Sequence, residues 1–233
     1  MAIKITQLSA FISDELDGNK ILEKIEQCGR ICYKSIPNGN PQAFVRALIK
    51  SHHHSVLEHA SVTCLFCTDR GISHECVRHR LCSFSQESTR YVAYTEDVTE
   101  DKSLTFVCPS WLTYNDLTTV AGFSSETLHN SKTTDPKVMA IIEWLKAMED
   151  GSNHYFQLLE LGWTPEKARD VLPHAVATKF YWTANLREWR HILNLRAVGT
   201  TGRPHPNMVA IMQPLLKQFQ ANIPVVFDDL EVS

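Results

Sequence analysis

The spacing of apolar positions changes several times along the chain, and each spacing predicts an element. Residues 2–11 carry the β-branched and apolar positions of an opening strand. Ile21, Leu22, Ile25, Cys28 and Cys32 then fall at helical spacing. Asn40-Pro41 reads as an N-cap followed by proline in the first helical turn, with Phe44, Val45, Leu48 and Ile49 as the buried face. Residues 60–68 form a strand, 71–79 a short helix, and the chain then runs on as a loop through Tyr91. Residues 104–108 predict another strand, and the Thr- and Ser-rich stretch 113–134 a polar surface excursion.

Asp135-Pro136 opens a long amphipathic helix through Leu161, with a stripe of Val138, Ile141, Ile142, Leu145 and Met148. Thr164-Pro165 starts a shorter helix that must end near Pro173. Residues 178–183 predict a strand, Asn185 caps a helix to Arg196, and a last helix follows Pro206, with Pro214 kinking it. No linker divides these elements. The expected fold is α+β, a single domain over 1–233, with a central largely antiparallel sheet and helices packed around it.

Composition narrows the function classes. With 43% hydrophobic and 21% charged residues in 233, the chain is that of an ordinary globular protein. A net charge of −3 gives no basic stripe for nucleic acid, so an anion site must be a local cluster of arginines. No apolar run approaches the roughly 20 residues of a membrane helix. Seven cysteines at scattered spacing, without a signal peptide, point to a reducing cytoplasm and no disulfide framework.

One run stands out chemically. Residues 78–91 hold Arg78, His79, Arg80, Ser83, Ser85, Gln86, Glu87, Ser88, Thr89, Arg90 and Tyr91. Guanidinium forks match phosphate geometry, and hydroxyls and loop N–H groups complete such a site. An isolated Arg-His-Arg is as readily a solvated face, but this one continues into a Ser-rich loop with little apolar reason to hold it.

A second cluster is His52, His53, His54, Glu58 and His59. Three residues separate His54 from Glu58, which fits neither the His-Glu-x-x-His zinc pattern nor its inverse, and no metal is expected. A third is 185–196, with Asn185, Arg187, His191 and Arg196. Arg187 and His191 share a helix face, whereas Arg196, nine residues beyond Arg187, lies on the opposite one. Either this is an arginine-rich surface helix paired through Glu188, or one helix serves two sites at a subunit junction. Cys64 and Cys67 sit on a predicted strand and read as packing rather than as a redox pair, and Cys82 is likewise assigned to packing.

Arg78-His79-Arg80, seven residues, then Ser88, with Gln86 and Arg90-Tyr91 in place, resembles the motif of the flavin-dependent thymidylate synthases. The His53 to His59 run and the Asn185-x-Arg187 block ending in Asn194-Leu195-Arg196 match that family too, so the resemblance extends from about Ser51 to Arg196. It implies conversion of dUMP to dTMP, with methylenetetrahydrofolate as one-carbon donor and NADPH as reductant through FAD. It implies that His53, Ser55, Arg78, His79, Arg80, Gln86, Asn185, Arg187 and His191 serve the flavin. By the same resemblance Glu75, Arg78, Gln86, Glu87, Ser88, Thr89, Arg90, Arg169 and Arg196 serve dUMP. Arg196 is the catalytic candidate, as a cation at the pyrimidine edge. The resemblance also implies a homotetramer with sites between subunits, which suits a chain with no Gly-x-Gly-x-x-Gly turn for FAD. His205 is a further candidate for stacking on the flavin. The rivals are a nucleotide- or RNA-binding module on the same arginines and a metal-dependent hydrolase on His52–His59.

Overall fold

A computed structural model describes residues 3–91, 103–113, 115–117 and 133–232. Most of the expected polar excursion, residue 114 and residues 118–132, lies outside the described residues. The fold is α+β with an antiparallel four-stranded sheet. Its chain segments interleave into two compact units. The first comprises 1–8, 67–74 and 86–179, and the second 9–66, 75–85 and 180–233.

In the first unit, β1 (Lys4–Thr6) pairs parallel with β5 (Thr105–Val107), Ile5 opposite Phe106. Helix α4 (Pro136–Glu160) starts as expected, with the Asp135 carboxylate accepting from Lys137 N at 2.9 Å and proline in the first turn. Its stripe buries Ile141, Ile142, Leu145 and Met148 and continues to Tyr155 and Phe156. Met148, Tyr155 and Phe156 share a core with Leu104, Phe106, Ala168 and Val176, and Ile141, Ile142 and Leu145 another with Cys108 and Leu117. The short α5 (Pro165–Ala168) passes into a 3₁₀ turn (Arg169–Val171) before Pro173.

In the second unit, α1 (Gly18–Ile31) and α2 (Pro41–Lys50) pack together. They approach closely at Gly29, where a Cβ would meet Phe44 Cε1 at 2.9 Å. Glu26 is buried there because Arg30 grips its Oε1 with two donors at 2.8 and 2.7 Å and itself lies over the Phe44 ring. The four-stranded sheet has the order β2 (Ser9–Ile12), β3 (Ser61–Asp69), β6 (Ala177–Asn185), β4 (Ser83–Gln86), of which residues 9–12, 61–66, 83–85 and 180–185 belong to this unit. Within this unit aromatic rings run from the sheet through the helices. Trp182 of β6 meets Phe84 at 5.1 Å and Trp189 at 5.2 Å; Trp189 meets Phe219, and Phe219 meets Phe227. Trp189 belongs to α6 (Leu186–Leu193) and Phe219 to α7 (Pro206–Asn222), which contains Pro214.

Four expectations change. The opening strand is two short strands, β1 and β2, which join different sheets. The helix expected over 71–79 is α3, Arg70–Cys76. The loop after it contains β4, whose Ser-Phe-Ser-Gln alternation is a strand period in only four residues. Helix 185–196 is α6 followed by a π-helical turn (Asn194–Val198), closed by left-handed Gly199 donating its N–H to Asn194 O. Cys32, the last residue of the first helical spacing, is the exposed C-cap of α1.

The Gly29 contact is a stability test. Gly29→Val pushes two methyls into Phe44 across the α1–α2 contact, and the expected cost is about 1–3 kcal/mol in urea unfolding.

Candidate functional site

The candidate residues fall into a cluster in each unit. In the second unit α6 is the organising element. Asn185 caps it, Oδ1 accepting from Glu188 N at 2.9 Å. Trp189 anchors its back, donating Nε1–H to Val62 O at 2.9 Å. Its open side lines a pocket of about 930 Å³ with Asn185, Arg187, Glu188, Arg190, His191 and Asn194. His52, His54 and Glu58 from the 3₁₀ segment His54–His59 and its approach form another wall, and Asp229 and Leu230 a third. Arg187 Nη1 donates to Glu58 Oε1 at 2.5 Å across it.

Arg196 points elsewhere, as its spacing from Arg187 predicted. Its Nη1 donates to Glu75 Oε2 at 3.0 Å and its Nε to His79 Nε2 at 3.2 Å. His79 is buried, its ring against Trp182 at 5.5 Å. Burial, with the neighbouring Arg196 and His191, pushes its pKa down to about 4. The ring is therefore neutral near pH 7. Because Nε2 accepts from Arg196, Nδ1 carries the proton. Nδ1 stands 3.9 Å from Glu188 Oε1, too far for a hydrogen bond and, with a neutral ring, not an ion pair.

Among the described residues, the His, Cys, Asp and Glu group close enough to hold a metal ion is His79, Glu188 and His191, whose ligand atoms lie within 4.8 Å. The His52–His59 run does not form one. At His79, the Arg196 guanidinium already occupies one ring nitrogen and its charge opposes a cation there.

The first unit holds the other cluster. Gln86 Nε2 donates to Ser73 Oγ and Thr178 Oγ1, at 3.0 and 3.1 Å. Glu87 is tied into the sheet edge: its N–H reaches Lys179 O and its carboxylate accepts from Lys179 N at 2.9 Å. Ser88 Oγ accepts from Arg90 N at 3.2 Å, Arg90 Nε donates to Glu166 at 3.0 Å, and Arg169 Nη1 donates to Thr89 Oγ1 at 3.2 Å. Thus Ser88, Thr89, Arg90 and Arg169, separated by up to 81 positions in sequence, form one hydroxyl and guanidinium cluster. Arg78 and Arg80 are exposed, and among the described residues neither side chain has an ion-pair partner.

Other expected residues are placed differently. His53 and Ser55 are exposed and do not line the pocket, whereas His52 and His54 do. His205 caps α7, its Nδ1 accepting from Asn207 N at 3.2 Å. Cys64 and Cys67 lie on β3, and burial raises both thiols above the ordinary range. Burial raises Cys82 too, leaving it a protonated thiol at neutral pH. Four pocket-lining residues, His52, His54, Arg190 and Asp229, carried no expected ligand role, although His52 and His54 stood in the histidine run. Arg190 stood in a block already singled out, but Asp229 carries no local signal.

Residues 17–225 match the model of the thymidylate synthase complementing protein family, Thy1. The chain is 32% identical over 226 residues to a protein named flavin-dependent thymidylate synthase from Mycobacterium bovis, covering 94% of this chain and 82% of that one. It is 39% identical over 147 residues to one of the same name from Thermococcus kodakarensis, covering 62% and 49%. In structure it resembles the UMP/dUMP methylase PolB from Streptomyces cacaoi bound with 5-Br dUMP. The TM-score is 0.72 and the identity 22%, over 97% of this chain and 96% of that one.

The depressed His79 pKa makes a pH prediction. Between about 4 and the ordinary 6.5, the unfolded chain binds a proton at this position and the folded chain does not. This contribution to stability is complete above about 6.5 and is lost as pH falls toward 4. Denaturation midpoints of the wild type should drop over that window more steeply than those of His79→Gln, and imidazole NMR should show His79 neutral at pH 6.

Proposed function

Because this chain belongs to the flavin-dependent thymidylate synthase family and is an enzyme of that class, we propose that it methylates dUMP to dTMP. Methylenetetrahydrofolate would be the one-carbon donor and NADPH the reductant, through FAD. The observation that carries the reading is Arg196: a guanidinium held by Glu75 and by a neutral imidazole, beside a pocket lined by Asn185 and Arg187, which match the family's block, and by His191, which departs from it. That PolB is a UMP/dUMP methylase supports a uridine nucleotide as substrate class.

The residues fit a flavin. The pocket is within the size range of cofactor sites and combines apolar walls, Ile49, Leu81 and Leu230, with the donors Arg187, Asn185 and His191. At its edge His54 Nε2 is a buried ring nitrogen that has no hydrogen-bond partner among the described residues. When bound, FAD would carry the reducing equivalents that turn the transferred one-carbon unit into a methyl group.

The rest falls to the chain. Uracil carbon 5 is a weak nucleophile until negative charge develops at ring nitrogen 3 and the flanking oxygens, and Arg196 is the cation proposed for that edge. A neutral His79 orients Arg196 without adding a second positive charge, and Glu75 fixes the guanidinium from its other side. Arg78, Ser88, Thr89, Arg90 and Arg169 take phosphate and ribose, with Gln86 and Glu87 holding the strand that presents them. Arg80, His53 and Ser55 are proposed, with Arg78, His79 and Gln86, to approach flavin. In the homotetramer we propose, sites are completed at subunit interfaces, where His53 and Ser55 need not face their own chain's pocket. The whole chain acts as one catalytic domain in a reducing cytoplasm; the family match spans segments of both compact units.

Three outcomes test these roles. Arg196→Ala should keep the fold and lose at least about 10²-fold in kcat, the scale of removing one transition-state donor, in a dTMP-formation assay. Near-normal turnover would remove Arg196 from the chemistry. Arg187→Ala should weaken FAD more than dUMP in titrations of both ligands; equal weakening would contradict its assignment. Cys82→Ala should stay active, whereas complete loss with FAD still bound would point to a covalent thiol step.

A further inference from the structure

We propose that Asp229 is a positioning residue for the flavin pocket, acting through Arg190 to fix how α6 presents Arg187 and His191. The inference rests on the flavin reading of that pocket. Arg190 lies on α6 between those two residues, with only 8% of its surface exposed. Its guanidinium is gripped from the C-terminal segment at three points. Nη1 and Nη2 donate to the two Asp229 carboxylate oxygens at 2.7 and 2.6 Å, and Nη1 also donates to Val226 O. This is the bidentate fork that fixes angle as well as distance.

The geometry makes the clamp a pocket device rather than general packing. Helix α6 spans eight residues, too short to hold its shape without tertiary support. Trp189 secures its back through Val62, and Arg190 secures the side nearer the pocket. Asp229 is half exposed and lines the pocket itself, while the preceding Val225, Val226 and Phe227 are buried. The segment is thus anchored in the core and delivers one carboxylate to the pocket wall. Removing that carboxylate leaves a buried guanidinium without its counter-charge, beside His54, whose ring already bonds the Ile49 backbone and offers Arg190 no negative charge. The helix must then shift to hydrate Arg190, carrying its neighbours on α6 with it. Adjacent Asp228 supplies an internal control: it meets Arg46 at only 3.8 Å, on the surface.

The test compares FAD titrations, by flavin fluorescence, of wild type, Asp229→Asn, Asp229→Glu and Asp228→Asn, with thermal unfolding of each flavin-free protein. Asp229→Asn should bind FAD at least tenfold more weakly. Asp229→Glu should recover most of that loss, and Asp228→Asn should match wild type. A merely structural role would lower all Asp229 variants in thermal unfolding without rescue of FAD affinity by glutamate, and that pattern overturns the proposal, as does unchanged FAD affinity in Asp229→Asn. Should Asp229→Asn fail to fold, Arg190→Met/Asp229→Leu removes both charges together; it should fold and still lose tenfold in FAD affinity, and wild-type affinity there overturns the clamp. Folded wild type that binds no FAD overturns the flavin reading, and the clamp falls with it.

Discussion

The contact between Arg196 and His79 is the constraint around which the second unit is organised. It requires a neutral imidazole, because two cations 3.2 Å apart in a partly buried site would repel. The aromatic packing around Trp182 secures that neutrality by keeping water from the His79 ring. The core is therefore part of the electrostatics: burial sets the protonation state, which lets the ring accept a hydrogen bond and aim a guanidinium.

The same economy of elements explains α6. A two-turn helix faces a pocket on one side, and the π turn that follows it carries Arg196 to a different partner set. A straight α-helix through Arg196 would also point the two arginines apart. The π turn adds an interruption, closed by Gly199 in a left-handed conformation, and such turns concentrate at functional sites. The first unit works differently. Its hydroxyls and guanidinium groups are gathered from a strand end and the 3₁₀ turn at Arg169, which no single helix could provide.

Much of this was legible in the residues. Long periodic stretches and proline caps located α2 and α4, and the nine-residue spacing from Arg187 to Arg196 anticipated their divergence. Motif resemblance supplied the family from three short blocks, and the family match extends well beyond them, over 17–225. What stayed hidden depended on tertiary neighbours. Four residues, Ser83–Gln86, are too few to reveal β4 amid a charged motif. Glu26 is buried only because Arg30 and Phe44 meet it. Backbone conformation, not linear order, decides that His52 and His54 rather than His53 line the pocket: His52 is left-handed and His54 opens a 3₁₀ segment. Asp229 is linked to Arg190 across 39 positions, a distance no local pattern encodes.

The proposed reaction turns most directly on the fate of hydrogen at uracil carbon 5, since methylation there must displace it. The measurement is tritium release from dUMP labelled at that carbon, with methylenetetrahydrofolate and NADPH, with and without FAD under low oxygen. Release should require both FAD and NADPH and be matched by dTMP formation. No release from folded, FAD-loaded protein would contradict the proposed reaction and leave the arginines as a nucleotide-binding site without this chemistry.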